Sequence, residues 1–322
     1  MFASRFTRRA LAALALTLTP LAAVHAAEPI RLVVGFAPGG GVDTLARVTA
    51  QALSKELDRT VIVENKSGAG GTIAADYVSK SQADGNTLLF ADTSLLVAPY
   101  IYPALRYDLQ RDFTSIGMVG QSDLALAVPG DSPVKTVAEL IEVIRKAPAQ
   151  TETFASVGVG SVHHLGGELF ALKTQTELVH IPYRGGAPAS QALAAGEVSM
   201  SFASLASAIG LANSGRIRLL ATLSERRFPG MPDLPSVSET IPGYSVTPSL
   251  FMLAPKNVDP ALVATVSKAL ENSMQQKQVQ DAFLAQGSVA GYQNAQATEQ
   301  WLGEETERWA NVIKSAQLDF KQ

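Results

Sequence analysis

Residues 35–44 read GFAPGGGVDT, directly after the apolar run IRLVV at 30–34, which has the make-up of a β-strand. Downstream, Leu45, Val48, Ala52 and Leu57 recur at helical spacing and leave Lys55 and Glu56 for water. The chain therefore gives up three successive side chains, Gly39 to Gly41, where a strand hands over to a helix over 43–57. Bare backbone there suits a tight turn, or a guest held on the unpaired N–H groups of a helix start; phosphate, a nucleotide and a small carboxylate are all candidates. Asp43 or Thr44 is expected to cap the helix. A P-loop is excluded, because no Gly-Lys-Ser/Thr closes the pattern and so no phosphate lysine or magnesium hydroxyl is supplied.

The alternation continues outward from this junction. Strands are expected at 30–36, 59–64, 87–91, 114–128 in one or two pieces, 152–156, 178–182, 197–202, 217–222 and 249–254. Helices are expected at 43–57, 71–80, 136–147, 161–173, 187–195, 204–213, 259–275, 277–286 and 297–316. This is the βα rhythm of parallel sheets covered by helices. It divides into two α/β units, one running to about residue 125 and one from 126 to about 246. The helix-rich segment 247–322 carries one good strand, LFMLAP at 250–255, suited to return to the first sheet. A ligand cleft would lie between the units, at the carboxyl ends of strands.

The first 26 residues are read as an export signal. Arg5, Arg8 and Arg9 form a basic start, Ala10 to Leu18 an apolar run too short to span a bilayer, and Val24-His25-Ala26 a cleavage site after Ala26. Removing those three arginines leaves 23 basic against 29 acidic side chains, a formal charge of −6 that argues against nucleic acid as partner. There is no cysteine, which excludes disulfides, thiolate catalysis and thiolate metal sites.

Three further loops resemble the first. ENKSGAGGTIAA (64–75) imitates a dinucleotide fingerprint, but Ile73 stands where the helix-packing glycine belongs, so a tight turn with close helix packing is the better reading of Gly68, Gly70 and Gly71. SVGVGSVHH (156–164) sets Ser156, Gly160 and Ser161 around a helix start, and PYRGGAPAS (182–190) sets Gly185 and Gly186 before another. Singly these are structural loops; repeated at successive strand ends they suit an oxygen anion. His163 and His164 are neighbours pointing apart and suit helix packing better than a shared metal. No GxSxG, HExxH or serine–histidine–acid spacing is present, and nothing local calls for a cofactor or catalysis.

Taken together, PGGGVDTLARVTAQALSKEL, VIVENKSGAGGTIAADYVSKSQADGNTLLF, YDLQRDFTSI, SVGVGSVHHLGGELF, HIPYRGGAPA and MPDLPSVSETIPGY closely resemble the Bug family, the substrate-binding proteins of tripartite tricarboxylate transporters. The likeness covers essentially the whole chain after residue 26. It implies a periplasmic binding protein of type II, with two α/β domains (27–125 plus 247–322, and 126–246) closing on a small carboxylate. It also implies recognition by backbone N–H groups, hydroxyls and ordered waters. The positions carried over are Pro38, Gly39, Gly40 and Gly41; Thr93 and Ser94; Ser156, Gly160 and Ser161; and Tyr183, Gly185, Gly186 and Ala187. The implied partners are membrane permease subunits or, if the protein is a sensor, a receptor; a monomer is expected.

Two departures bear on the ligand. The family commonly reads VDLMFDNL where this chain has VSMSFASL, so Ser199 and Ala203 replace acids; SWFGLFAP becomes PSLFMLAP, with Ser249 and Leu250 in place of aromatics. An ammonium-bearing ligand would want a buried acidic partner. With those two acids missing, a dicarboxylate without an amino group is expected. The remaining rival, an exported hydrolase or lyase, would need a poised acid, base or metal.

Overall fold

The computed structural model describes residues 28–102 and 104–315; the export signal read at 1–26 lies outside them. Two sheets form the centres of two α/β lobes. The first has the order β11-β4-β10-β3-β1-β2, built from β1 (Ile30–Val34), β2 (Val61–Asn65), β3 (Thr87–Asp92), β4 (Phe113–Ser122), β10 (Ser249–Pro255) and β11 (Ser288–Gln293). The second has the order β7-β6-β8-β5-β9, from β5 (Leu124–Pro129), β6 (Thr153–Ser156), β7 (Val179–Pro182), β8 (Met200–Ser204) and β9 (Ile217–Thr222).

The wholly apolar runs became central strands, as burial on both faces requires. Every residue of β3 and β10 is buried. Leu88 and Phe90 point to the side of α1 (Gly41–Glu56), while Leu89 and Ala91 point to the side of α2 (Thr72–Ser79) and α3 (Ser94–Ile101). In β5 the alternation is sharper. Leu124, Leu126 and Val128 fill one core with α4 (Val137–Lys146) and α5 (Val162–Thr174). Ala125 and Ala127 on the opposite face leave room for α6 (Gly186–Ala194) and α7 (Leu205–Asn213) to come close.

The sheets are mixed, which corrects the all-parallel expectation. β10 runs antiparallel to both β3 and β4, β11 to β4, and β5 to both β8 and β9. A strand returning from a distant segment has no βα crossover to set its direction. The expected run 114–128 is two strands in different sheets, with Asp123 alone between them. The return crossing lies beside it: Ser122 N–H donates to Pro248 O at 2.8 Å, and Val246 N–H to Leu223 O at 2.8 Å.

A third link is the last helix, α10 (Ala295–Ser315), which follows α8 (Pro260–Gln275) and α9 (Lys277–Ala285). Its Leu302 packs in the first lobe, whereas Trp309 and Ile313 lie in the core of the second.

Candidate functional site

Strand direction decides which loops meet. β1, β2 and β3 are parallel, as are β6, β7 and β8, and each is followed by a helix beginning at its carboxyl end. The two sets face each other. A Cβ built on Gly41, at the start of α1, would stand 3.7 Å from Ala206 Cβ in the first turn of α7. One on Gly186, at the start of α6, would stand 3.1 Å from Ser207 Cβ in that same turn. On the other side, a Cβ on Gly160 would fall 1.9 Å from Ile101 Cδ1 at the end of α3. Helix N-termini from both lobes therefore border one cleft, where their partial positive charges favour an anion.

These starts are not equivalent. α1 has Gly40 as its N-cap and α6 has Gly185, and neither receives a side-chain cap. The first-turn amides of Gly41 and Val42, and of Gly186 and Ala187, are left to whatever enters the cleft. Arg184, exposed beside Gly185, adds positive charge at the rim. Asp43 does not cap α1. It accepts the Gly39 N–H at 2.8 Å, Arg47 at 2.9 and 3.0 Å and Asn65 at 2.8 Å, so it braces the glycine loop from beneath. Burial alone would push its carboxyl up, but the bonds from Arg47, Gly39 and Asn65 together hold it below the usual range.

The 156–161 loop is turned inward. Ser161 caps α5, accepting His164 N–H at 3.2 Å and donating to Gly158 O at 2.7 Å. Gly160 N–H donates to His164 Nδ1 at 3.1 Å, and Ser156 Oγ lies 2.6 Å from His180 Nε2. The His164 and His180 rings stack with centroids 3.7 Å apart, and Phe154 stacks on His180. Burial, helped by His164, drives His180 down to about 3, and burial drives His163 down to about 4. Both ring nitrogens of His163 are buried without a hydrogen-bond partner. Among the described residues no group of His, Cys, Asp or Glu is arranged to hold a metal.

The other expected positions divide. Pro38, Gly39, Gly40 and Ala187 are exposed at the cleft. Thr93 is buried and its hydroxyl accepts Ser249 N–H at 2.8 Å, tying β10 to the start of α3. Ser94 donates its amide to Asp92. The Tyr183 phenol sits with the α6 side of the second lobe and is held protonated by burial and by Glu197, so only its backbone belongs to the loop. Ala203 and Leu250 lie in the lobe cores, and Ser199 accepts the Thr153 amide at 3.2 Å. Gly71 (φ +92°) is there for packing: a Cβ on Gly35 would meet Gly71 Cα at 2.4 Å.

Two features of the site escaped the sequence reading. One is α3, whose residues SLLVAPYI carry a proline and little amphipathic pattern. The other is a pair of buried acids, Asp92 on the cleft floor and Asp123 at the crossing between the lobes. Burial lifts each to about 6. Cavities are also found away from this cleft among the described residues. One of about 130 Å³, lined by Ile30, Leu57, Arg59, Leu88, Ile116 and Leu262 among others, lies at the opposite end of the first sheet. The rest of its lining is mostly apolar, and the Arg59 guanidinium is already bonded to Glu28 O and Asn86 Oδ1, so it offers an anion little.

The sequence profile described as the tripartite tricarboxylate transporter family receptor matches residues 45–318. The chain belongs to that family. It is similar to protein BugT of Bordetella pertussis, 33% identical over 300 residues and 92% of each chain. Among solved structures it resembles R. palustris Rpa4515 with adipate (30% identity, TM-score 0.85, 90% of this chain and 97% of that one). It also resembles MatC from Rhodopseudomonas palustris with bound malate (26% identity, TM-score 0.80, 88% and 98%). Membership makes this protein a non-catalytic periplasmic solute-binding receptor with the two-lobed fold of type II binding proteins, serving the membrane permease components of a tripartite system.

Proposed function

We propose that this receptor captures a small dicarboxylate without an amino group, acting as a monomer, and hands it to the large and small membrane subunits of its transporter. One observation carries the reading. α1 and α6, one from each lobe, start at glycine N-caps without side-chain caps, and both flank the first turn of α7. Amides aligned in a closing cleft hold a carboxylate without the desolvation cost of a buried guanidinium. The ligand contacts are assigned to the amides of the 38–41 and 185–187 loops, with Thr93, Ser94 and the 156–161 loop forming the walls. The first lobe would close on the second about the paired crossings at 122–124 and 246–249, with α10 bridging the two, since its Leu302 packs in the first lobe and its Trp309 and Ile313 in the second. The adipate and malate in the related structures are acids of this class, and the absence of an amino group rests on them. Ala203 lies in the lobe core and Ser199 is tied to Thr153 at the far end of β6, so their replacement of acids no longer bears on the ligand.

Mass spectrometry of what co-purifies with the protein, followed by calorimetry, tests this. The expected result is binding of adipate or malate, with compaction in small-angle scattering. Tight binding of glutamate or aspartate, with no binding of the unaminated acids, would contradict it.

A further inference from the structure

The carboxyl of Asp92 sits on the floor of the cleft in which the proposed ligand, itself an anion, would lie. β3 ends at Asp92, and Ser94 opens α3 two residues later. The parallel register Val34↔Phe90 sets Asp92 level with Phe36, on the way into the glycine loop; on its other side Asp92 pairs with Leu250. Alternation along β3 puts its side chain on the face of Leu88 and Phe90, the face that α1 covers. The carboxyl therefore stands between the starts of α1 and α3, and only 7% of the residue is exposed.

Among the described residues no salt bridge is formed with it; a ligand ammonium would pair with it without proton uptake, the outcome that the glutamate and aspartate titrations above would reveal. The hydrogen bonds to Asp92 come from Ser94, through the amide at 2.9 Å and through the hydroxyl. β10 brings Ser249 and Leu250, and the loop from β1 brings Gly35 and Phe36, all uncharged. On α1 the acid Asp43 is matched by Arg47 at 2.9 Å. On α5, His163 is held neutral by burial.

We propose that Asp92 couples capture of an organic dianion to uptake of one proton, so that the closed cleft holds it as a neutral carboxylic acid. The proposal rests on the ligand class proposed above. Burial already raises Asp92 to about 6. A second negative charge brought close, in a cleft shut off from water, raises it further, because like charges in low dielectric cannot both stay ionised. At neutral pH the free protein carries Asp92 mostly ionised and the complex carries it protonated. The proton comes from solvent and returns to it when the ligand leaves. The protonated acid also leaves an O–H donor on the cleft floor, where an ionised one offers only acceptors.

The test is calorimetry of the mature protein with adipate and with malate at pH 7, in two buffers of different ionisation enthalpy. Wild type should take up roughly 0.9 proton per ligand, and its affinity should rise nearly tenfold from pH 8 to pH 7. Asp92→Asn should take up none, bind with a flat pH profile and match or exceed wild type at pH 8. Asp92→Ser gives the same flat profile should the Asn variant fold poorly. Asp123→Asn, which removes the other buried acid of similar pKa, should keep the uptake. Wild-type binding without proton uptake, or undiminished uptake in Asp92→Asn, overturns the coupling while leaving the ligand class intact. Failure of both acids to bind overturns the ligand class and the coupling with it.

Discussion

Two glycine loops of this receptor look alike in sequence and differ in what their polar atoms do. PGGG at 38–41 presents an uncapped helix start to the cleft, steadied from below by Asp43. SVGVGS at 156–161 uses its polar atoms on itself: Ser161 caps α5, and Ser156 and Gly160 are tied to His180 and His164. Glycines announce where a backbone must bend or approach closely. Whether the freed amides face a guest is settled by neighbours distant in sequence. This contrast is why we propose the first-lobe loop as the receiver and the α5 loop as a wall.

The largest expected contrast follows directly. Gly160 has φ +75°, and a side chain there would collide with Ile101 across the lobes. Gly160→Ala should lose about 2–4 kcal/mol of stability in urea unfolding, from strain and overpacking together. Gly40 has φ −76°, and a Cβ there would meet nothing closer than Ala37 O at 3.4 Å. Gly40→Ala should stay within about 0.5 kcal/mol of wild type, and Gly40→Val, with its side chain at the guest's place, should weaken acid binding in calorimetry. Equal stability losses at Gly160 and Gly40 would erase the distinction between the loops.

A second contrast sets buried acids against buried imidazoles. Asp123 has one carboxyl oxygen without a partner, and burial lifts the group to about 6. The folded protein then keeps this proton between about pH 4 and 6, where the unfolded chain has released it, so this contribution to stability is lost as pH rises through 6. His163 and His180 act with the opposite sign. Their folded values of about 4 and 3 mean that the unfolded chain takes up protons first, and stability falls as pH drops below about 6.5. Asp123→Asn should therefore stabilise the protein at pH 7 by on the order of 2 kcal/mol. Its thermal midpoint should also fall more steeply than that of wild type from pH 6.5 to 4.5. Parallel pH profiles would show that Asp123 is solvated.

A smaller effect separates the capped from the uncapped helices. The hydroxyl of Ser161 serves α5, so Ser161→Ala should cost about 1 kcal/mol of stability. Any change in affinity should be smaller than that, which replaces the ligand-donor role that its position suggests from sequence alone. Chemical denaturation beside calorimetry checks both. A folded variant of undiminished stability with tenfold weaker binding would return Ser161 to the ligand.

Much of the fold was legible because continuous apolar runs such as TLLFA and LFMLA suit strands buried on both faces. The return of the last segment to the first sheet was legible for the same reason. β11, which reads SVAGYQ with alternating exposure, has no such run, and its place depends on the edge offered by β4. At the site, the glycine loops were visible as motifs, but the direction of their hydrogen bonds was not. His180 and Ser156 are 24 residues apart and meet only because β6 and β7 lie side by side. Asp92 was in plain view in FADTS; what it lacked on paper was burial, a property of Leu250 and α1 closing over it.

The most direct test of the central claim is the change in backbone amide ¹H–¹⁵N signals on titration with adipate. The uncapped starts of α1 and α6 predict the largest shifts at Gly41, Val42, Gly186 and Ala187, saturating together, with smaller ones at Gly158 and Gly160, whose loop is tied back to Ser156 and His164. Shifts confined to the apolar cavity around Ile30, Leu57 and Leu262, with those four amides unmoved, would contradict the account.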